Sequence, residues 1–267
     1  MAVDATFPSL SAPTWPTRLT RFGLWAIGIG LVLVAVSGPL NRFAGIGFQV
    51  ALLLMAGGVL VLVVGALMTI IGFLVGLANG AQLSKGPAAL GIVIALGLLG
   101  YLLTWMRAGM GVPPIHEIST DLASPPPFVA VTEIRQKTGA VNPPEYVAEM
   151  SGARGTTNVP EAQRKSYPDI QPVILEGVAP ADAFARAEAA VKQLGWQVVA
   201  AVPEEGRLEA TDTTRFFGFK DDVVIRLRAE GGGTRIDIRS KSRVGMGDVG
   251  ANAARVRKFL ALVKAGA

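Results

Sequence analysis

The sequence predicts a three-helix transmembrane bundle followed by a soluble α+β domain, mostly antiparallel sheet with two helices. Three observations carry this reading. Between Phe22 and Met106 the 267-residue chain holds only two charged side chains, Arg42 and Lys85. From Arg107 onward charge returns at the density of an ordinary water-exposed domain. Beyond Pro172 apolar residues alternate as in strands or recur at helical spacing. The expected division is an N-terminal tail over 1–21, a transmembrane domain over 22–106, a Pro-rich linker over 107–171 and the α+β domain over 172–267.

Arg42 and Lys85 each sit in a short Gly- or Pro-marked connection, so the apolar half splits into spans of about 22–40, 48–78 and 87–106. Roughly 20 helical residues match the hydrocarbon thickness of a bilayer. The first span follows Arg18 and Arg21, and the third ends at Tyr101, Trp105 and Arg107, amphipathic residues suited to a membrane surface. In the second span Gly58, Gly65 and Gly72 are seven apart, and Gly72, Gly76 and Gly80 four apart. Small residues on one face let helix backbones approach closely. The first and third spans of the same chain are expected to fill that face, with self-association or a foreign helix at Gly58, Gly65, Gly72 and Gly76 as the alternative. No acidic, basic or His residue lies inside a span, which argues against a proton or ion pathway. Arg18, Arg21 and Lys85 would share one side and Arg42 with Arg107 the other, so the positive-inside rule puts the amino terminus in the cytoplasm and the C-terminal domain outside it.

The formal charge of +5 and an isoelectric point near 9.7 suggest nucleic acid, yet most of the excess belongs to the apolar half. No nucleic-acid partner is expected, because phosphate binding needs clustered Lys and Arg. Cysteine is absent, which removes disulfides, thiol catalysis and thiolate metal sites. No cofactor or metal is expected, and the lipid bilayer is the one firm partner.

From Gly111 to Pro172 the pairs Pro113-Pro114 and Pro143-Pro144 and the run Pro125 to Pro127 read as a segment that resists regular structure and lies extended. His116, the single histidine, reads as a local hydrogen-bonding residue rather than a ligand or base. Pro172–Val178 reads as a strand, and Pro180–Leu194 as a helix burying Phe184, Ala187, Val191 and Leu194, with Gly195 as its stop. Trp196–Val202 and Gly206–Thr211 are strands, and Asp222–Ala229 and Thr234–Ser240 form a hairpin across Gly231-Gly232-Gly233. Asp248 is expected to cap a last helix to about Lys264, with Val249, Ala253, Val256, Leu260 and Val263 as its apolar stripe.

In the hairpin, Val223, Ile225 and Leu227 oppose Val224, Arg226 and Arg228, and Ile236 and Ile238 oppose Arg235, Asp237 and Arg239. The polar face gathers Arg226, Arg228, Arg235 and Arg239 around Asp237. Such a face suits a carboxylate or phosphate, but a solvated surface held by cross-strand charge pairs is the expected reading. Asp221 and Asp222 could hold a hard cation or act as acid or base, but on a strand they face opposite sides. One is then expected to cap, or to pair with Arg243.

Phe219-Lys220-Asp221-Asp222-Val223, Arg239-Ser240-Lys241-Ser242-Arg243-Val244-Gly245, Asp248-Val249-Gly250 and Asn252-Ala253-Ala254-Arg255 resemble, in order, the signature of the family named domain of unknown function 1499. The resemblance covers about 116–262, including Tyr167-Pro168-Asp169-Ile170. It implies occurrence in bacteria and plastids, often beside membrane segments, and supplies no agreed activity. With the three spans it places the chain in a bacterial inner membrane with a periplasmic domain. By matched position the candidate ligand-binding residues are Asp221, Asp222, Arg239, Ser240, Ser242, Arg243, Asp248, Asn252 and Arg255, with structural bracing of the glycine-rich turns as the competing role. Three functions stay open: a non-catalytic module binding an anionic ligand or partner protein, a hydrolase using Asp221 or Asp222 with Ser240 or Ser242 as a weaker nucleophile, and a structural subunit of a membrane complex.

Overall fold

The computed structural model describes residues 14–152 and 155–266, which form two compact units meeting between Trp105 and Met106. Three apolar helices follow one another, α1 (Trp15–Ala44), α2 (Phe48–Ala78) and α3 (Lys85–Met110), the last five residues of α3 being counted in the second unit. Each is long and apolar enough to cross a membrane. Residues 1–13 of the expected tail lie outside the described residues, and its remainder is already helical from Trp15, with Pro16 in the first turn, where a missing N–H costs nothing.

The α1–α2 interface is built from absent side chains. Gly30 and Gly23 on α1 meet Gly58 and Gly65 on α2, and Gly72 meets Pro16 and Thr20, so closely that a Cβ on Gly30 would stand 2.7 Å from the Gly58 carbonyl oxygen. One on Gly65 would stand 2.8 Å from the Gly23 carbonyl oxygen. The hydroxyls of Thr20 and Thr69 turn back onto the carbonyls of Pro16 and Gly65, so neither faces the partner helix unsatisfied. The glycine face predicted on the second span is thus filled by α1 of the same chain. Gly76 instead meets Leu83, and α3 takes no part in the glycine seam. It adds Ala95 to the small cluster of Ile27, Leu62 and Ala66, and Gly91 leaves room for Leu24.

The second unit is an antiparallel sheet with a few helices. Its elements are β1 (Glu117–Ser119), α4 (Ala130–Lys137), β2 (Glu149–Gly152), β3 (Gly155–Asn158), α5 (Val159–Ser166), β4 (Val173–Glu176), α6 (Pro180–Gln193), β5 (Gln197–Val202), β6 (Arg207–Thr213), β7 (Lys220–Glu230), β8 (Gly233–Ser242) and α7 (Ala251–Ala265). The six-stranded sheet runs β1-β8-β7-β6-β5, with β4 also on β8, and β2 and β3 pair apart from it. The β7–β8 register sets Asp222 opposite Lys241, Val224 opposite Arg239 and Arg226 opposite Asp237. Gly231 and Gly232, both with positive φ, close this hairpin in the two-residue turn whose twist suits antiparallel strands.

One sheet face is apolar. Val223, Ile225, Leu227, Ile236 and Ile238 pack against Phe184, Ala187 and Val191 of α6 and Val256, Phe259 and Val263 of α7, and Trp196 stacks on Phe259 at 6.0 Å. The predicted stripe of α7 holds except at Val249, which stands before the helix, largely exposed, with a φ of 54°. Asp248 is likewise two residues short of the N-cap, which is Gly250. Its carboxylate still accepts the Gly250 and Asn252 amides at 2.8 and 2.7 Å.

The other face is charged, and the segment expected to be a linker covers it. Residues 107–171 supply β1, α4, α5 and the β2–β3 hairpin, and bury Ile115, Ile118, Glu117 and Arg135. Proline explains both the misreading and the outcome. It withholds N–H groups from ladders, which leaves neighbouring carbonyls free to accept bonds from buried cations. Gln163 of α5 closes the outer edge of β1, its side chain bonding both the N–H and the carbonyl of Ser119 at 3.0 and 2.6 Å.

Candidate functional site

The family-motif residues divide between the two faces, as strand alternation requires. On the charged face Asp222 of β7 accepts hydrogen bonds from Arg243 (Nε 2.9 Å, Nη2 2.8 Å), Arg135 (Nη1 2.6 Å) and the Thr211 hydroxyl (2.8 Å). Arg135 comes from α4, and its Nη2 also donates to the Asn142 carbonyl at 2.8 Å. The Asn142 side chain bonds the carbonyls of Ser242 and Gly245, tying the glycine-rich turn to the cover.

Two residues along, Glu117 of β1 is the counter-ion of both Arg239 (Nη2 2.8 Å) and Lys241 (Nζ 3.1 Å). Arg239 lies between the rings of Phe128 and Tyr146 at 4.7 and 5.5 Å and donates to the Pro126 and Pro144 carbonyls. Lys241 reaches the Glu145 carbonyl at 2.6 Å. Four buried cations, Arg135, Arg239, Lys241 and Arg243, thus share two buried carboxylates, Asp222 and Glu117. Electrostatics follow from that imbalance. Burial, reinforced by Arg239, brings the Lys241 amine down to about 8 against the pull of Glu117. Burial and Lys241 bring the His116 imidazole down to about 4. The His116 Nδ1 and the Arg135 Nε are buried without a hydrogen-bond partner. His116 was expected to bond locally, but its Nδ1 has no partner, and its backbone carbonyl accepts from the distant Ser242 N and Asn252 Nδ2.

Farther along this face the predicted Arg group forms around Asp237, but with three members. Arg226, Arg228 and Arg235 bond the Asp237 carboxylate at 3.0, 2.9 and 3.0 Å, while Arg239 goes to Glu117. Asp121 of the cover joins them through Arg226 and Arg235. Burial works against its charge, yet amide bonds from Ser124 and Ala123 and the two guanidiniums hold its carboxyl below the usual range. These are cross-strand charge pairs, and they saturate the face that was a candidate anion surface. At the far side Glu209 of β6 accepts the amides of Val129, Ala130 and Val131, satisfying the first turn of α4 from another strand.

On the apolar side the motif ends in a second polar knot. Arg255 of α7 donates Nη2 to Asp221 at 2.6 Å, Nε to Asp212 at 2.8 Å, and Nη1 to Ser240 Oγ and Asn252 Oδ1 at 3.1 and 2.7 Å. Ser240 Oγ donates to Asn252 Oδ1 at 2.6 Å, and Asn252 Nδ2 donates to Ser242 Oγ and the His116 carbonyl. Burial, with Asp221 nearby, raises the Asp248 carboxyl against its amide bonds. Asp221 and Asp222 face away from each other and cannot share a cation. Among the described residues no group of three or more His, Asp or Glu could hold a metal.

The nine sequence candidates therefore form two networks rather than one site. Glu117, Arg135, Thr211, Asp212 and Lys241 were missed. Lys241 had a signal, since it shares strand parity with Arg239 and Arg243; Arg135, in a segment read as linker, had none. Open space lies beside the second network. A groove of about 380 Å³ runs between the start of α7 and the end of β6, lined by Asp212, Thr213, Arg215, Arg255, Lys258 and Trp196 among others.

A comparison with curated proteins finds no match. A family profile described as a protein of unknown function, DUF1499, matches residues 117–263, a stretch that begins at Glu117 and takes in both networks. With more than half of its length matched, the chain belongs to the DUF1499 family.

Proposed function

We propose that this chain is a non-catalytic module of a bacterial inner membrane that binds an anionic ligand through a domain on the periplasmic side. The observation that carries the non-catalytic reading is the mutual saturation of all nine motif residues. Asp221 and Asp222 are buried and ion-paired, and the hydroxyls of Ser240 and Ser242 are bonded to Asn252. A hydrolase would need at least one of these groups facing substrate. Binding is better served by the groove beside Arg255, whose volume falls in the range of small-ligand sites and whose rim carries Arg215 and Lys258. The orientation rests on Arg18, Arg21 and Lys85 outnumbering Arg42 and Arg107.

The test is thermal unfolding of the detergent-solubilised full chain against millimolar phosphate, pyrophosphate, citrate and succinate. One of these raises the melting temperature of the wild type, and Lys258→Glu abolishes the rise without lowering the unliganded melting temperature. Equal shifts in the wild type and Lys258→Glu, or none in either, would overturn the groove as the binding site.

A further inference from the structure

The groove between the start of α7 and the end of β6 has one side chain in its wall whose polar atom is unspent. Trp196 is only 6% exposed and stacks on Phe259, as a core residue does. Its indole N–H nevertheless finds no acceptor among the described residues, and Nε1 is not among the atoms sealed from solvent. Trp196 lines the groove, so the part of the ring left open faces that space. A tryptophan buried this deeply ordinarily gives its N–H to a partner. Here the N–H is a fixed donor waiting on the groove wall.

The same groove holds an acceptor. The Asp212 side chain is 30% exposed and is clamped by Arg255 Nε through Oδ2 at 2.8 Å, which leaves Oδ1 without a donor among the described residues. Arg255 has nothing left for a ligand, because its other nitrogens serve Asp221, Ser240 and Asn252. It is also one cation for two carboxylates, Asp212 and Asp221, so a negative charge remains uncompensated at the groove. Lys258, one turn farther along α7, lines the groove, exposed. A plain anion drawn to Lys258 and the indole N–H would be repelled by Asp212. A ligand carrying both signs would satisfy all three.

We propose that the ligand of this groove is an aminodicarboxylate, an anion that also carries a primary ammonium group. The ammonium donates to Asp212 Oδ1, while Lys258 Nζ and Trp196 Nε1 donate to carboxylate oxygens. Leu194, Ala251 and Ala254 offer the short carbon chain between them an apolar lining. A groove of about 380 Å³ stands at the small end of ligand sites, which suits a ligand of four or five carbons. The inference rests on the reading of this groove as an anion site and adds the second charge to it. It gives Arg255 of the Asn252-x-x-Arg255 motif piece a task as a positioning residue, since it turns one Asp212 oxygen inward and leaves the other to the ligand.

The test sets glutamate against glutarate, and aspartate against succinate, on the full chain in detergent; each pair differs only in the amino group. The rise in melting temperature is expected to half-saturate at a concentration at least ten-fold lower for an amino acid than for its deaminated partner. Asp212→Asn, which can still accept from Arg255, is expected to erase that difference and keep the rise. The chain has four tryptophans, so labelling with [15N]tryptophan gives four indole signals. The one missing from Trp196→Phe is expected to move on titration while the other three stay. Equal half-saturation within each pair, with the Trp196 signal moving for both, overturns the ammonium site and leaves the anion reading standing. A preference that survives Asp212→Asn, or a rise with phosphate and none with these four, does the same. No rise with any anion, or a rise that leaves the Trp196 signal unmoved, overturns both. The wild-type comparison decides even where Asp212→Asn does not fold.

Discussion

Asp222 and Arg243 meet across the β7–β8 hairpin in a two-point ion pair, Nε and Nη2 each within 2.9 Å of a carboxylate oxygen. Both residues are buried, and Asp222 also holds Arg135. Removing the carboxylate strands two guanidiniums away from water. Breaking a buried pair costs about 3 to 5 kcal/mol. Asp222→Ala is therefore expected to lower the stability of the second unit by that order, read in urea unfolding of the full chain in detergent. Unchanged unfolding would show that the pair holds nothing together.

Glu117 and Lys241 allow a sharper test, because one carboxylate serves two cations. Glu117→Gln is expected to destabilise by about 3 kcal/mol, since Arg239 and Lys241 would then repel each other in a dry site. Lys241→Met removes that repulsion. Combined with Glu117→Gln it should restore part of the loss, a coupling of about 1 kcal/mol or more in a double-mutant cycle. Strict additivity would contradict the shared-counter-ion geometry.

Acid should act through His116. Burial and Lys241 hold its imidazole at about 4, below the ordinary value of 6.5, so between these limits the unfolded chain takes up a proton that the native chain refuses. Stability then falls as pH drops through that window, by about 3 kcal/mol in all. The contribution is fully present above pH 6.5, and His116→Phe is expected to flatten the slope in unfolding curves collected from pH 7 to pH 4.

The glycine seam separates tolerated from forbidden methyl groups. A Cβ at Gly30 meets backbone of α2 on several sides, whereas one at Gly28 or Gly57 meets nothing within 4 Å. Gly30→Ala is expected to cost about 1 to 3 kcal/mol as overpacking. Gly28→Ala and Gly57→Ala are expected to be neutral, with detergent-resistant thermal unfolding of the full chain as the readout.

Val249→Gly relieves an unfavourable backbone conformation, and about 1 kcal/mol of added stability is expected in urea unfolding of the full chain in detergent. A loss instead would mean that Val249 is packed, against its observed exposure.

Much of this was legible because it is periodic. Alternation along β7 and β8 placed Asp221 and Asp222 on opposite faces and set Val224, Arg226 and Arg228 against Ile225 and Leu227, as the register shows. The heptad of glycines announced a close helix contact, though not that α1 alone would fill it. Local patterns could not reveal the cover. Arg135 reaches Asp222 across 87 positions, and Pro126, Pro144 and Glu145 contribute carbonyls, which every residue has. The segment read from its prolines as irregular supplies β1, α4, β2, β3 and α5, and only its proline-marked stretches between them leave carbonyls free as acceptors. Asp248 was misplaced by two residues because its carboxylate caps through a turn rather than from the cap itself.

Because β1 pairs with β8, the first strand made after α3 waits for nearly the last. Glu117 bonds Lys241 across 124 positions. During synthesis the stretch from Ile115 to Tyr146 must stay hydrated and unpaired until the C-terminal hairpin arrives. Distant pairing of this kind slows folding. A charged partner surface suits such a delay, for an exposed guanidinium or carboxylate is at home in water while an exposed apolar strand would aggregate.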